Sequence, residues 1–256
     1  MHHLLARITS KHACAQGAWE IVLHAPEIAR CAAPGQFVHV RPPGVGCDPL
    51  LRRPLAIARA EGDSLVLIVD VVGRGTRALA ARRPGDEVDL IGPLGNGWPA
   101  LEGVSGPIAL VAGGTGVASL MSFHHAFADK LRLHPLLGAR TAQRLLGAEY
   151  FRQAPNTRLA TDDATAGFCG TVVELLRQAW DEIRPQAVLA CGPEAMLAAV
   201  AELARQRGVC CYVSLEQRMG CGFGVCMGCA VPLARGGYAR VCVDGPVFEA
   251  AEVAWE

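Results

Sequence analysis

The chain has 256 residues, 51% hydrophobic and 19% charged, the balance of a folded globular protein with room for two ordinary domains and a small module. Its 24 basic residues match 24 acidic ones, so no broad positive field exists to draw in nucleic acid or anionic lipid. No stretch approaches the roughly 18 to 20 apolar residues of a membrane span, the start MHHLLARITS lacks a secretory pattern, and eleven cysteines without such a signal fit a reducing compartment, so a cytoplasmic protein is expected.

Residues 1–100 read as short apolar or alternating runs parted by Gly and Pro: LLARIT, AWEIVLH, GQFVHVR, LAIA, SLVLIVDVV and DEVDLIG. Strands so spaced, with hardly a helical period among them, predict a small antiparallel β-barrel. Within it, LLRRPLAIA sets Arg52 and Arg53 ahead of a rigid proline and an apolar strand. A guanidinium there can fork onto a phosphate, although an Arg pair at a strand start is more often simply solvated. VVGRGTRAL then offers a turn of Gly73, Gly75 and Thr76 whose backbone N–H groups can face the same phosphate.

LGNGWPALEGVSGP, rich in Gly and Pro, marks a linker near residue 100. Over 101–210 the texture becomes strand then helix: PIALVAGG, LHPLLGA, TRLAT and QAVLACG alternate with GTGVASLMSFHHAFA, TVVELLRQAW and PEAMLAAVAELARQR. That alternation predicts an α/β domain, a parallel sheet with helices on both faces. Gly113, Gly114, Thr115 and Gly116 fall between an apolar strand and a helix, which suits a tight turn or a phosphate site. Cys191, Gly192, Pro193 and Glu194 repeat the arrangement after a second buried strand, and two such turns at neighbouring strand ends predict a shared cleft. Asp162 and Asp163 follow another strand end, placed either for a ribose or in a solvated turn.

The last stretch, 211–256, is too short and Gly-rich for a core of its own, so ligation is expected to supply much of its stability. Cys221, Cys226, Cys229 and Cys242 stand as C-x4-C-x2-C-x12-C, a plant-type ferredoxin spacing for a two-iron, two-sulfur cluster. Gly220, Gly222, Gly224 and Gly228 alternate with the first three thiols and permit close approach of backbone N–H groups to sulfur. Four thiols also suit a structural zinc ion, although such sites are more often built from two C-x2-C knuckles and here there is one. Phe223, Val225 and Met227 lie beside these ligands, either packing the small module or forming an apolar patch for a partner. Cys14, Cys31, Cys47, Cys169, Cys210 and Cys211 are expected to be buried free thiols.

Taken in order, RRPLAIA, the GT turn, GGTG, CGPEAM and SLEQRMGCGFGVCMGC resemble the electron-transfer subunits of class 1B dihydroorotate dehydrogenases, within the ferredoxin-NADP reductase superfamily. The resemblance covers essentially the whole chain. It implies an α+β multidomain protein, with a flavin barrel at 1–100, a nucleotide domain at 101–210 and a 2Fe–2S module at 211–256. It further implies that Arg53, Pro54, Leu55 and Ala56 form the flavin motif, that Val69, Asp70 and Val71 lie on a flavin-contacting strand, and that Gly75 and Thr76 meet the FAD pyrophosphate. Gly113 to Gly116 and Cys191 to Glu194 would form the NAD cleft, and the four C-terminal thiols would hold the cluster. The implied partner is an FMN-containing catalytic subunit in a two-plus-two heterotetramer of pyrimidine biosynthesis, where this chain passes electrons through cluster and FAD to NAD. A reductase serving another acceptor protein shares the same motifs, and a zinc-stabilised binding module or redox sensor would be colourless and inert toward NADH. Two positions depart from the family pattern: Ala56 replaces a common Ser, and Gln217 a common acidic residue.

Overall fold

The computed structural model describes residues 1–43, 48–101 and 103–255. Cys47 lies outside the described residues. The N-terminal part contains strands β1 (His2–Ala15) and β2 (Ala18–His24), helix α1 (Pro26–Ala29), strands β3 (Phe37–Arg41), β4 (Arg53–Glu61) and β5 (Ser64–Asp70), helix α2 (Arg74–Ala80) and strand β6 (Glu87–Leu94). The six strands close in the order β1-β2-β5-β4-β3-β6, every neighbouring pair antiparallel. Alternation drives this closure, because inward residues such as Ile8, Ile21, Leu23, Ile57, Leu65, Leu67 and Leu90 are each at most 1% exposed. Each such side chain contributes about 1.5–3 kcal/mol on burial, and a closed barrel leaves no sheet edge unpaired.

One local expectation changes. The Gly-Thr segment is the first turn of α2 instead of a free turn, because the Thr76 hydroxyl accepts from Val72 N (3.1 Å) and Gly73 N (3.2 Å) while Leu79 and Ala80 pack inward. Seven residues carry too short a period to stand out in the sequence.

The middle part runs through β7 (Ile108–Gly113), α3 (Val117–Phe127), β8 (Leu133–Ala139), α4 (Ala148–Phe151), β9 (Arg158–Thr161), β10 (Phe168–Cys169), α5 (Val172–Ile183), β11 (Ala187–Cys191), α6 (Glu194–Gln206) and β12 (Cys210–Ser214). Strand β7 shows why the sheet has two covered faces. Ala109 and Val111 pack with α5 and α6, while Ile108, Leu110 and Ala112 pack with α3 and, beyond it, with barrel residues Ala58, Val66 and Ile68. Helix α5 begins with a capping box: Glu174 N donates to Thr171 Oγ1 (3.2 Å) and Thr171 N donates to Glu174 Oε2 (2.7 Å).

After the thiol loop, β13 (Ala230–Pro232) and β14 (Tyr238–Arg240) form a hairpin, and β15 (Val247–Glu249) returns to the main sheet. The sheet order is β10-β9-β8-β7-β11-β12-β15, parallel except for β15, which lies antiparallel against β12. Strand β12 spans 210–214, so the chain crosses from the middle part to the last in mid-strand. Val231, Val241, Cys242 and Phe248 share one core with α5 and α6. Of the thiols expected to be buried, Cys211 is buried and Cys14 partly so, whereas Cys31, Cys169 and Cys210 are exposed. The last two stand on the short edge strand β10 and the first residue of β12, where the sheet covers little. No helix among the described residues is long and apolar enough to cross a membrane.

Candidate functional site

Strand β4 opens at Arg53, and Pro54, Leu55 and Ala56 follow half-buried along it. The Arg53 guanidinium donates to Leu51 O (2.5 Å) and lies flat on the backbone of Gly75, where a methyl group would come within 2.6 to 2.9 Å of it. Arg53 and the Gly-Thr segment, 22 positions apart in sequence, therefore meet at one place beside the barrel. A guanidinium can fork onto an anion, and Gly75 supplies bare backbone beside this one. Val69 is buried and Val71 half-buried. Asp70 differs, because both its oxygens accept from Arg144 (2.7 and 3.2 Å), which binds the barrel to the middle domain. Arg144 also donates to Gln16 O (2.6 Å), extending the same junction.

The two glycine turns face each other. Ala112 and Cys191 are register partners on β7 and β11, and the turns at the ends of these two strands pack backbone to backbone. A methyl on Gly116 would overlap the Cys191 carbonyl, and one on Gly113 would reach 2.6 Å from Met196 Sδ. Gly192 has φ +159 and Gly114 φ +54, the latter a left-handed conformation that favours glycine. Cys191 is 3% exposed, and burial pushes its thiol well above the usual range, with the Glu216 charge adding to the effect. The thiol therefore stays protonated, buried behind the two turns. Thr115 Oγ1 donates to Glu216 Oε1 (3.1 Å) across the cleft mouth. Glu216 is exposed as a residue, yet the protein packed against its carboxyl raises the pKa by desolvation, partly offset by Thr115. Asp162 is exposed, and Asp163 accepts from Thr165 N (3.1 Å) and Oγ1 (2.6 Å), closing a solvated turn.

The four spaced cysteines converge in two pairs. Desolvation opposes ionisation of Cys221, but N–H groups of Cys226, Phe223 and Val225 aimed at its sulfur, with the Cys226 side chain, bring its pKa down to about 6. Val225 N lies 3.3 Å and Cys226 N 3.5 Å from that sulfur. Cys242 is pushed up to about 12 by burial and then by the adjoining Cys229 thiol. Cys229 and Cys242 are buried while Cys226 is exposed, so the group sits at the surface with one side inward. Among the described residues no three His, Cys, Asp or Glu side chains gather round a single point as one bound ion requires. Two thiol pairs with N–H groups pointed at sulfur fit a binuclear cluster, with two thiolates for each iron, better than a lone zinc ion. Phe223, Val225 and Met227 are 44%, 74% and 53% exposed, so they form an outer apolar patch and do not pack the module.

Residues 216–254, which contain all four thiols, match the family model described as the iron-sulfur cluster binding domain of dihydroorotate dehydrogenase B. The chain is 39% identical over 259 residues to the electron transfer subunit of dihydroorotate dehydrogenase B (NAD(+)) from Desulforamulus reducens, covering 98% of each chain. This chain belongs to that family. The Bacillus caldolyticus member is 38% identical, covering 96% of each chain.

Solved structures show the family's wider fold. A chain from an NADH-dependent reduced ferredoxin-NADP oxidoreductase superposes with a TM-score of 0.88 at 32% identity, covering 98% of this chain and 90% of that one. Phthalate dioxygenase reductase shares the fold at a TM-score of 0.62 and 19% identity, with 94% of each chain covered. Three residues of this family member take on a role only in the structure: Glu216 beside Thr115 and Cys191, Arg144 on Asp70, and His39, whose Nδ1 lies 3.0 Å from the Cys221 carbonyl. An acidic residue inside the SLEQ run could have been flagged from its place between a strand end and the first thiol. His39 and Arg144 are isolated polar residues in ordinary strand and loop contexts.

Proposed function

We propose that the chain is the electron-transfer subunit of a dihydroorotate dehydrogenase, carrying electrons from dihydroorotate oxidation to NAD through a 2Fe–2S cluster and FAD in pyrimidine biosynthesis. The observation that carries this reading is the pairing of the four thiols within the segment that matches the family's cluster-binding model. When bound, the cluster handles single electrons and the flavin couples them to the two-electron exchange with nicotinamide.

The residues divide the work. Cys221, Cys226, Cys229 and Cys242 would ligate the cluster, and the N–H groups facing Cys221 favour its thiolate. Arg53 with Gly75 and Thr76 would hold the FAD pyrophosphate, while Pro54, Leu55, Ala56, Val69, Asp70 and Val71 line the ring through backbone and apolar surface. Gly113, Gly114, Thr115 and Gly116 with Cys191, Gly192, Pro193 and Glu194 would receive NAD, and the protonated Cys191 brings no charge to that site. Ala56 places a methyl where many relatives have a hydroxyl, which removes a hydrogen bond available to the flavin without removing the binding surface. Gln217 removes a charge from the surface beside the cluster. No acid or base on this chain is needed, because its task is to bind, orient and exclude water.

The partner would be an FMN-containing catalytic subunit in a two-plus-two heterotetramer in the cytoplasm, covering the apolar patch at Phe223, Val225 and Met227. The division into 1–100 for FAD, 101–210 for NAD and 211–256 for the cluster belongs to the same proposal. Co-expression with the neighbouring catalytic subunit, followed by iron and flavin analysis and an assay of NAD reduction by dihydroorotate, tests it. An iron-free chain that still passed electrons from NADH to the partner's flavin would overturn it. The likeness to the ferredoxin-NADP oxidoreductase chain favours one second reading, a reductase for another acceptor protein. Robust NADH oxidation with no response to dihydroorotate would select it.

A further inference from the structure

His39 stands on β3 with its imidazole fully buried, opposite Pro54 of the flavin-motif strand and Ile91 of β6. Its Nδ1 faces the Cys221 carbonyl at 3.0 Å, and a carbonyl can only accept. The proton therefore sits on Nδ1, and the buried Nε2 has no partner among the described residues. A second contact is independent of that bond. Gly222 has φ +83, and a methyl on it would stand 2.5 Å from Nδ1 and 3.0 to 3.1 Å from the two ring carbons beside it. The thiol loop thus lies directly on the imidazole, and only a glycine's bare α-carbon allows it.

We propose that His39 is a positioning residue that fixes the first cluster thiol at a set distance from the flavin strand. This rests on the reading of Cys221 as a cluster ligand. The path from the Cys221 backbone runs through the carbonyl, the Nδ1–H and the imidazole into β3, which pairs with β4 at Pro54. Electron transfer falls steeply with separation, so holding the loop on this ring governs rate more than affinity.

The test uses the complete complex with its partner, comparing His39→Leu, which cannot donate, with His39→Asn, whose amide N–H occupies the Nδ1 position. Iron and flavin content, the rate of flavin reduction by NADH, the rate of subsequent cluster reduction, and the electron paramagnetic resonance spectrum of the reduced cluster are measured. His39→Leu is expected to keep iron, flavin and the NADH step at native levels, to slow flavin-to-cluster transfer several-fold, and to alter the spectrum. His39→Asn is expected to restore both. Native transfer and a native spectrum in His39→Leu would overturn the proposal, as would an Asn variant as slow as the Leu variant. Should His39→Leu fail to fold, Gly222→Ala decides: slowed transfer with an unchanged NADH step supports the assignment, and a native rate removes it. A wild-type chain that takes up no iron would instead remove the cluster reading itself.

Discussion

The barrel and the thiol loop hold their shape by opposite means. Around the barrel every strand has two paired neighbours and the interior is filled by fully buried aliphatic side chains. Residues 220–229 contain no helix or strand, and they are held by scattered contacts: N–H groups on Cys221 Sγ, Arg240 on Gly224 O (3.0 Å), His39 on Cys221 O, Val241 N on Cys229 O (3.1 Å), and the burial of Cys229 in the core. The barrel is therefore a receptor shaped by packing, whereas the loop is expected to gain further order from what its thiols bind.

Cys226→Ser gives the largest separation of the two regions. Cys226 is exposed, so its loss is expected to remove nearly all bound iron and the brown colour while leaving FAD content and flavin reduction by NADH unchanged. Visible absorption with iron analysis checks this, and loss of FAD as well would show that the barrel depends on the loop. Arg53→Ala strikes the other region. Removing a charge-assisted contact of about 1.5–3 kcal/mol is expected to weaken FAD binding about 10- to 100-fold with iron retained, measured by flavin titration of the apoprotein.

Gly116→Ala sharpens the comparison within the preformed part, since its methyl would overlap the Cys191 carbonyl. A cost of about 1–3 kcal/mol in stability is expected from overpacking, with a raised KM for NADH, read by denaturant unfolding and steady-state kinetics. The smallest effect is on pH dependence. Burial, before any neighbouring charge, lowers the pKa of His124 and His134 below the ordinary 6.5. Below pH 6.5 the unfolded chain binds protons that the folded chain does not, so their contribution to stability is intact above that pH and declines as pH falls below it. Urea unfolding between pH 7.5 and about 5 should show this decline, and His134→Asn should make it shallower without abolishing it.

What the sequence made legible was local. Strand–turn–helix junctions at Gly113 and Cys191 and the cysteine spacing announce themselves within a few residues, because each is one motif. Alternating strands foretold the barrel for the same reason. The contacts that complete the site were not legible, since His39 and Cys221 are separated by 182 positions, Thr115 and Glu216 by 101, and Asp70 and Arg144 by 74. Helix α2 escaped notice through shortness, and β15 through pairing with a strand on the far side of the thiols. Burial of Cys31, Cys169 and Cys210 was expected from the general habit of free thiols, and each sits instead at a helix end, a sheet edge or a strand start.

The pairing of Ser214 with Val247 means that the polypeptide leaves the sheet and re-enters it at the same spot. Everything between, all four thiols included, is an excursion bounded by two adjacent strands, yet it is not a loose appendage, because Val231, Val241 and Cys242 within it fill the core shared with α5 and α6. Cutting it out and joining β12 to β15 by a tight turn would strip the body of its outlet for single electrons and would also uncover the face of those helices. A different metal-binding loop spliced onto the two strand ends would have to bring its own apolar plug.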